Sequence, residues 1–155
     1  MRISAIVLIW ILCTRPAAAL LCGSILSPMT VSATNLSFGN YAPGGSLTAN
    51  TTVTIRCALP LDLLPDFQVR LSAGNAATPA ARYLRRGSSQ LFYNVYADPG
   101  FGSVWGDGSA GSVQRSYDGL LSLGAISFTG FGRLPAGQYV PGGTYSDRLT
   151  VTVIF

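Results

Sequence analysis

The sequence predicts an all-β protein, and three observations lead to this prediction. Lys and Glu, two strong helix formers, are absent, whereas glycine (18 residues) and proline (9 residues) are plentiful. Short segments rich in Val, Thr, Tyr and Phe alternate between apolar and polar residues, as strands do when one face is buried. Turns rich in Gly and Pro separate these segments at short intervals, a spacing typical of a β-sandwich.

The N-terminus has the features of a secretory signal peptide. Arg2 supplies a positive charge, residues 3–13 form an apolar run, and residues 17–19 are three alanines that suit a cleavage site. The apolar run is too short to span a bilayer. We therefore expect a signal peptide at residues 1–19 and one mature domain at residues 20–155; the alternative is a buried N-terminal strand or short helix.

Cleavage after Ala19 would remove Cys13 and leave one pair of cysteines, Cys22 and Cys57. Because an exported protein reaches an oxidising compartment, we expect this pair to form a disulfide. Two free buried thiols are the alternative. A closed zinc site is not expected, since the chain contains no His and two cysteines supply too few ligands.

Three internal segments alternate as half-buried strands do. Their apolar positions are Val53, Ile55 and Cys57; Phe67, Val69, Leu71 and Ala73; and Leu91, Tyr93 and Val95. Turn residues lie between them and beyond them, at 43–45, 60–65, 74–75, 86–87, 99–100, 106–108, 135–137 and 141–143. No repeat or linker indicates a second domain.

The last segment, residues 145–155 (YSDRLTVTVIF), predicts a final strand. Leu149, Val151, Val153 and Phe155 alternate with more polar residues, so one row of apolar side chains is expected to face the core. We expect no further segment to cover this strand. We therefore expect its outer edge to remain open to a partner strand.

Charge and composition exclude several function classes. Once Arg2 and Arg15 are cleaved away, eight Arg face six Asp, and this small net charge of about +2 does not indicate nucleic-acid binding. Without His or Glu, the usual Ser/His/Asp and Cys/His arrangements cannot be built, so we expect no enzyme activity and no cofactor. Asp98, Asp107 and Asp118 lie beside Gly or Pro and are expected to form turns. The GxGxxG match at residues 106–111 is followed by no helical pattern.

Two sets of residues are candidates for a surface ligand. Arg82, Arg85 and Arg86 cluster before a glycine and suit either an acidic polysaccharide or lipopolysaccharide phosphate, or a solvated turn. Aromatic residues near the glycine-rich turns include a candidate sugar-stacking set, although most are expected in the core: Tyr93, Tyr96, Phe101, Trp105, Tyr117, Phe128 and Phe131.

Several motifs, taken in order, resemble the spore coat protein U domain family. They are Cys22 followed by 34–41 (TNLSFGNY), 52–57 (TVTIRC), 91–96 (LFYNVY), 104–108 (VWGDG), 134–138 (LPAGQ) and the final strand. The likeness covers nearly the whole mature chain. It implies a fold similar to the pilins of archaic chaperone/usher fimbriae, which are immunoglobulin-like sandwiches that lack one strand.

The resemblance also implies a mechanism and partners. A periplasmic chaperone first lends the missing strand, and the N-terminal extension of a neighbouring pilin subunit replaces it during assembly through an outer-membrane usher. Leu149, Val151, Val153 and Phe155 would line the groove that receives this strand. The alternative is that these four residues are core residues of a complete sandwich.

The expected mature N-terminus departs from that of a fibre-building pilin. Only Leu20 and Leu21 precede Cys22, too few to fill a neighbour's groove. The sequence therefore predicts a tip or accessory subunit, exported through the periplasm to the cell surface, that acts in adhesion or biofilm formation. Its surface or glycan ligand is unknown. A self-complete spore or cell-surface coat protein is the first alternative, and a small secreted enzyme the second.

Overall fold

The computed structural model describes residues 29–57, 66–119 and 125–154. These ranges contain nine strands and one short 3-10 helix, Pro79–Ala81. The strands are β1 (Met29–Ala33), β2 (Leu47–Cys57), β3 (Phe67–Leu71), β4 (Tyr83–Arg86), β5 (Ser89–Phe92), β6 (Asn94–Tyr96), β7 (Arg115–Tyr117), β8 (Ala125–Leu134) and β9 (Val151–Ile154). The prediction of an all-β protein is confirmed. Within the described ranges, no helix has the length and apolar character needed to cross a membrane.

The larger sheet has four antiparallel strands in the order β1-β2-β8-β6. Its longest pairing joins β2 to β8, from Leu47 opposite Leu134 to Arg56 opposite Ala125. Val53 and Ile55 are each 1% exposed, because alternate residues of β2 point to the same face. This face is the inner side of the sheet and contributes to the core.

The second sheet has three antiparallel strands in the order β7-β3-β9. Phe67, Val69 and Leu71 of β3 are all buried, as their alternation predicts. A separate hairpin joins β4 to β5 through a turn in which Gly87 has a φ of 56°, a conformation that favours glycine. The chain then passes from the hairpin to the larger sheet at Tyr93, so the strand predicted around residues 91–95 divides there into β5 and β6.

The two sheets meet across an aromatic core. Phe67 of β3 contacts Phe128 of β8 edge to face, with ring centroids 6.3 Å apart. Trp105 is fully buried, and its indole N–H donates to the Val69 carbonyl oxygen at 3.0 Å. Inside the larger sheet, Gly130 leaves room for these rings, because a Cβ atom there would lie 2.9 Å from Val95 and 3.2 Å from the Trp105 ring.

Candidate functional site

One edge of β9 has no partner strand in the described part of the chain. Its other edge pairs with β3, from Gln68 opposite Ile154 to Leu71 opposite Val151. The pairing extends one residue further, where the Ser72 N–H donates to the Thr150 carbonyl oxygen at 3.0 Å. The final segment is therefore held along one side only.

The hydrogen-bond pattern shows which backbone groups face the free edge. In an antiparallel pair, backbone groups point to the partner strand at every second residue. The backbone of Thr150 bonds to Ser72. By this alternation, the backbone N–H and C=O groups that point toward β3 are those of Thr150, Thr152 and Ile154. The N–H and C=O groups of Leu149, Val151 and Val153 therefore point to the free edge. Consistently, the Leu71 N–H points away from β9 and donates to the Gly106 carbonyl oxygen at 3.2 Å.

The same three residues point their side chains between the sheets. Leu149, Val151 and Val153 are partly buried and pack against the core, whereas Arg148, Thr150 and Thr152 are exposed. The alternation predicted for the final segment is therefore present, although regular pairing is confined to Val151–Ile154.

An open groove of about 910 Å³ lies beside this segment. Leu149 and Val151 line it on one side, Leu36 and Phe38 on the other, and Val53 and Leu134 of the larger sheet contribute to its floor. We call this feature the β9 groove. Apolar side chains from both sheets thus meet at one cleft, next to backbone groups that can bond to another strand.

Hydrogen bonds fix the wall of the β9 groove that lies across from β9. This wall is the loop of residues 34–43. The Tyr41 hydroxyl donates to the Pro135 carbonyl oxygen at 3.0 Å and accepts the Gln138 N–H at 2.9 Å, while the Gly137 N–H donates to the Pro43 carbonyl oxygen at 2.7 Å. The alternation of apolar residues does not predict this wall, because the loop is not a strand and its partners lie far away in sequence.

One end of the β9 groove is polar. Asp147 accepts hydrogen bonds from the Tyr93 hydroxyl at 2.8 Å and from the backbone N–H groups of Asn75 and Arg148, each at 2.8 Å. Burial raises the pKa of Tyr93 far above its ordinary value, and the bond to Asp147 raises that pKa further. Tyr93 therefore remains a neutral hydrogen-bond donor.

The prediction of a surface cluster of arginines is wrong for Arg82, because this side chain is only 1% exposed. Its guanidinium donates to the carbonyl oxygens of Leu71 and Ser72 and to the Asn94 side-chain oxygen. Burial lowers the pKa of Arg82. These bonds hold the side chain inside the protein, so it connects β3 to β6 and is unavailable to a ligand.

The structure tests the predictions for only some of the other candidate residues. Asp98 and Asp107 form turns as expected, since they accept the backbone N–H groups of Gly102 and Ser109. Cys22 and Phe155 lie outside the described residues. Cys57 is the last residue of β2, and its disulfide with Cys22 stays a prediction.

The candidate aromatic set also divides. Tyr93, Trp105 and Phe128 are buried, and Tyr117 stacks on Phe67 with ring centroids 5.3 Å apart. The remaining three, Tyr96, Phe101 and Phe131, are only partly buried. Tyr117 is partly buried as well, so these four are the members of the set that are not fully enclosed in the core.

Comparisons with known proteins agree with this architecture. The model of the Spore Coat Protein U domain family matches residues 13–152. "Protein U" of Myxococcus xanthus is 29% identical over an alignment of 132 residues, and the alignment covers 77% of this chain and 71% of that protein.

A solved structure has a similar fold. It is a chain of the CsuC–CsuE chaperone-tip adhesion subunit pre-assembly complex from the archaic chaperone-usher Csu pili of Acinetobacter baumannii, with a TM-score of 0.60 and 21% identity. The match covers 85% of this chain and 40% of that chain, so this chain spans less than half of its length.

Proposed function

Because the chain belongs to the Spore Coat Protein U domain family, we propose that it is a subunit of a chaperone/usher-type surface fimbria that receives a strand from another protein. The observation that supports this proposal is the unpaired edge of β9 beside the β9 groove. An added strand would gain backbone hydrogen bonds along Leu149, Val151 and Val153, and its alternate side chains would fill the groove.

The strand order supports an immunoglobulin-like sandwich that lacks one strand. In such sandwiches, strands A, B, E and D form one sheet, and strands C, F and G form the other. The order β1-β2-β8-β6 corresponds to A-B-E-D, while β3 and β9 correspond to C and F. Position G lies beside β9, and no described strand occupies it.

The exposure of apolar residues near position G also supports a sandwich that lacks one strand. Val31 of β1 lies opposite Ile55, so both side chains share the inner face of the larger sheet. Ile55 is 1% exposed, but Val31 is 42% exposed. A strand added beside β9 would extend the second sheet toward β1, where it would shield such residues from water. An uncovered apolar edge is otherwise prone to aggregation.

The partners follow from this mechanism. A periplasmic chaperone would first supply the strand, an outer-membrane usher would receive the complex, and a neighbouring pilin subunit would then replace the chaperone's strand. The protein would act at the cell surface in adhesion or biofilm formation. A tip position is part of the proposal, supported by the fold shared with a chain of a chaperone-tip adhesion subunit complex and by the predicted cleavage after Ala19.

A self-complete coat protein of the spore or cell surface is the second candidate. The family description favours this candidate, because it names a spore coat protein. In this case another part of the chain would fill the β9 groove.

Two experiments distinguish the candidates. First, the mature chain is expressed in a periplasm with and without its cognate chaperone. The fimbrial subunit is expected to aggregate alone and to be recovered as a one-to-one complex with the chaperone. A soluble monomer that unfolds cooperatively without a chaperone would instead support the coat protein.

Second, the purified chain is mixed with a designed peptide of about ten residues that alternates Val and Thr, the length of a long strand. The peptide should bind to the chain and raise its unfolding temperature. Val151→Lys should abolish binding, because a charge would face the groove. Thr152→Lys is the matched control on the exposed face and should leave binding unchanged. Equal effects of the two substitutions would contradict the proposed groove.

A further inference from the structure

We propose that the outer face of the four-stranded sheet binds an acidic polysaccharide. This face lies on the opposite side of the larger sheet from the β9 groove, so it is independent of the proposed strand exchange. Val53 and Ile55 of β2 point inward, and their neighbours in the strand therefore point outward.

Hydroxyl groups occupy the centre of this outer face. Directly opposite residues share a face of an antiparallel pair, so Thr52 and Thr129 lie side by side, as do Thr54 and Ser127. The Thr54 and Ser127 hydroxyl oxygens are 3.1 Å apart. Ser and Thr hydroxyls both donate and accept hydrogen bonds, which suits the hydroxyl groups of a sugar chain.

The charged residues at outward positions of this sheet's described strands are both arginines. Arg56 lies opposite Ala125 at one end of β8, and Arg133 lies near the other end; both are exposed. The outward positions of the described strands β1, β2, β6 and β8 carry no Asp. At about 3.4 Å per residue, the two arginines are roughly 27 Å apart along the strand direction. That separation fits an extended polyanion and is too long for a single small anion.

An aromatic cluster lies at the Arg133 end of the face. Phe131 is opposite Tyr96 in the sheet, and the Tyr96 ring meets the Phe101 ring edge to face with centroids 5.4 Å apart. The Arg133 guanidinium lies over the Phe101 ring, 5.3 Å from its centroid. Partly exposed rings can stack on sugars while the guanidinium binds a carboxylate.

The loop that carries Phe101 is held in a fixed conformation. Phe101 has a φ of 57°, in the left-handed region that residues other than glycine seldom adopt. The Asp98 carboxylate accepts the backbone N–H groups of Gly102 at 3.1 Å and Ser103 at 2.7 Å. Asp98 is therefore engaged within its own loop, and the Phe101 ring is placed beside Arg133 before any ligand arrives.

Binding of the mature chain, alone or in its chaperone complex, to polygalacturonate tests this proposal. The double variant Arg56→Ser/Arg133→Ser should weaken binding at least tenfold. The matched control, Arg85→Ser/Arg148→Ser, removes the same charge from exposed positions off this face and should change affinity less than twofold. Uncharged dextran should not bind.

Three results would overturn the proposal. They are the absence of polygalacturonate binding, equal weakening by the two double variants, and binding of double-stranded DNA as tight as that of polygalacturonate. The last two would indicate attraction of any polyanion by the net charge of the protein.

Discussion

The substitution Leu149→Ala tests whether Leu149 lines a groove that another strand fills or belongs to the ordinary core. Leu149 is partly exposed in the free protein and lines the β9 groove. In the proposed mechanism, an added strand buries it completely. Thr150→Ala is the matched control, because Thr150 is the next residue and its side chain is exposed on the other face.

The expected magnitude follows from the change in burial. Replacing a fully buried Leu by Ala costs about 2–5 kcal/mol, so we take about 3 kcal/mol for the complex with the alternating Val/Thr peptide. The free protein should lose only about 1 kcal/mol, because water already reaches part of the side chain. The difference of about 2 kcal/mol should raise the Kd for the peptide roughly 30-fold.

Urea unfolding of the free protein and titration with the peptide measure these two quantities. For Thr150→Ala, the free energy of unfolding should change by less than about 0.5 kcal/mol and the Kd should not change. If Leu149→Ala lowered the stability of the free protein by about 3 kcal/mol and left the Kd unaltered, Leu149 would be an ordinary core residue. The groove assignment would then be refuted.

Three further predictions concern the fold around the site, each measured by urea unfolding. Arg82→Ala should lower stability by about 3 kcal/mol, because buried carbonyl oxygens lose their donors. Arg85→Ala, at an exposed position of β4, should change stability little, and equal losses would refute the role of burial. Gly130→Ala should cost about 1–3 kcal/mol through overpacking, whereas Gly44→Ala, with open space around the added Cβ, should be neutral. The backbone N–H groups of Gly102 and Ser103 lower the pKa of Asp98. The ionised Asp98 carboxylate therefore stabilises the fold at pH values above the pKa that Asp98 has in the unfolded chain. This stabilisation is lost as the pH falls through the lower pKa that Asp98 has in the folded protein. Asp98→Asn should remove that part of the acid dependence, and an unchanged pH profile would contradict it.

The sequence predicted the strands whose inward positions all carry large apolar residues. β3 and the second half of β2 are such segments, and Val53, Ile55, Phe67, Val69 and Leu71 are buried as expected. The alternation does not predict β8 in the same way. Two of its inward positions, Gly130 and Gly132, are glycines, because side chains from neighbouring elements already fill the space above them. The regular apolar pattern is therefore missing from the longest partner of β2.

Half of the candidate site could be predicted from the sequence. The final segment identified Leu149, Val151 and Val153 as one apolar row with an open edge. The opposite wall could not be found, because the loop of residues 34–43 is positioned by bonds such as that between Tyr41 and Pro135, 94 residues apart. Such contacts leave no periodic signal in the sequence. The burial of Arg82 was missed for a similar reason, since its acceptors include the backbone carbonyls of Leu71 and Ser72, which lie 11 and 10 residues away.

Amide hydrogen exchange along the final segment tests the central claim most directly. In the free protein, the N–H groups of Leu149, Val151 and Val153 should exchange fast, because they face an unpaired edge. The Thr152 N–H points toward β3 and should be protected, which provides an internal control. Adding the chaperone or the alternating Val/Thr peptide should slow exchange at all three edge residues and leave Thr152 unchanged. Strong protection of Val151 and Val153 in the isolated protein would contradict the account, because it would mean that the chain already completes its own sheet.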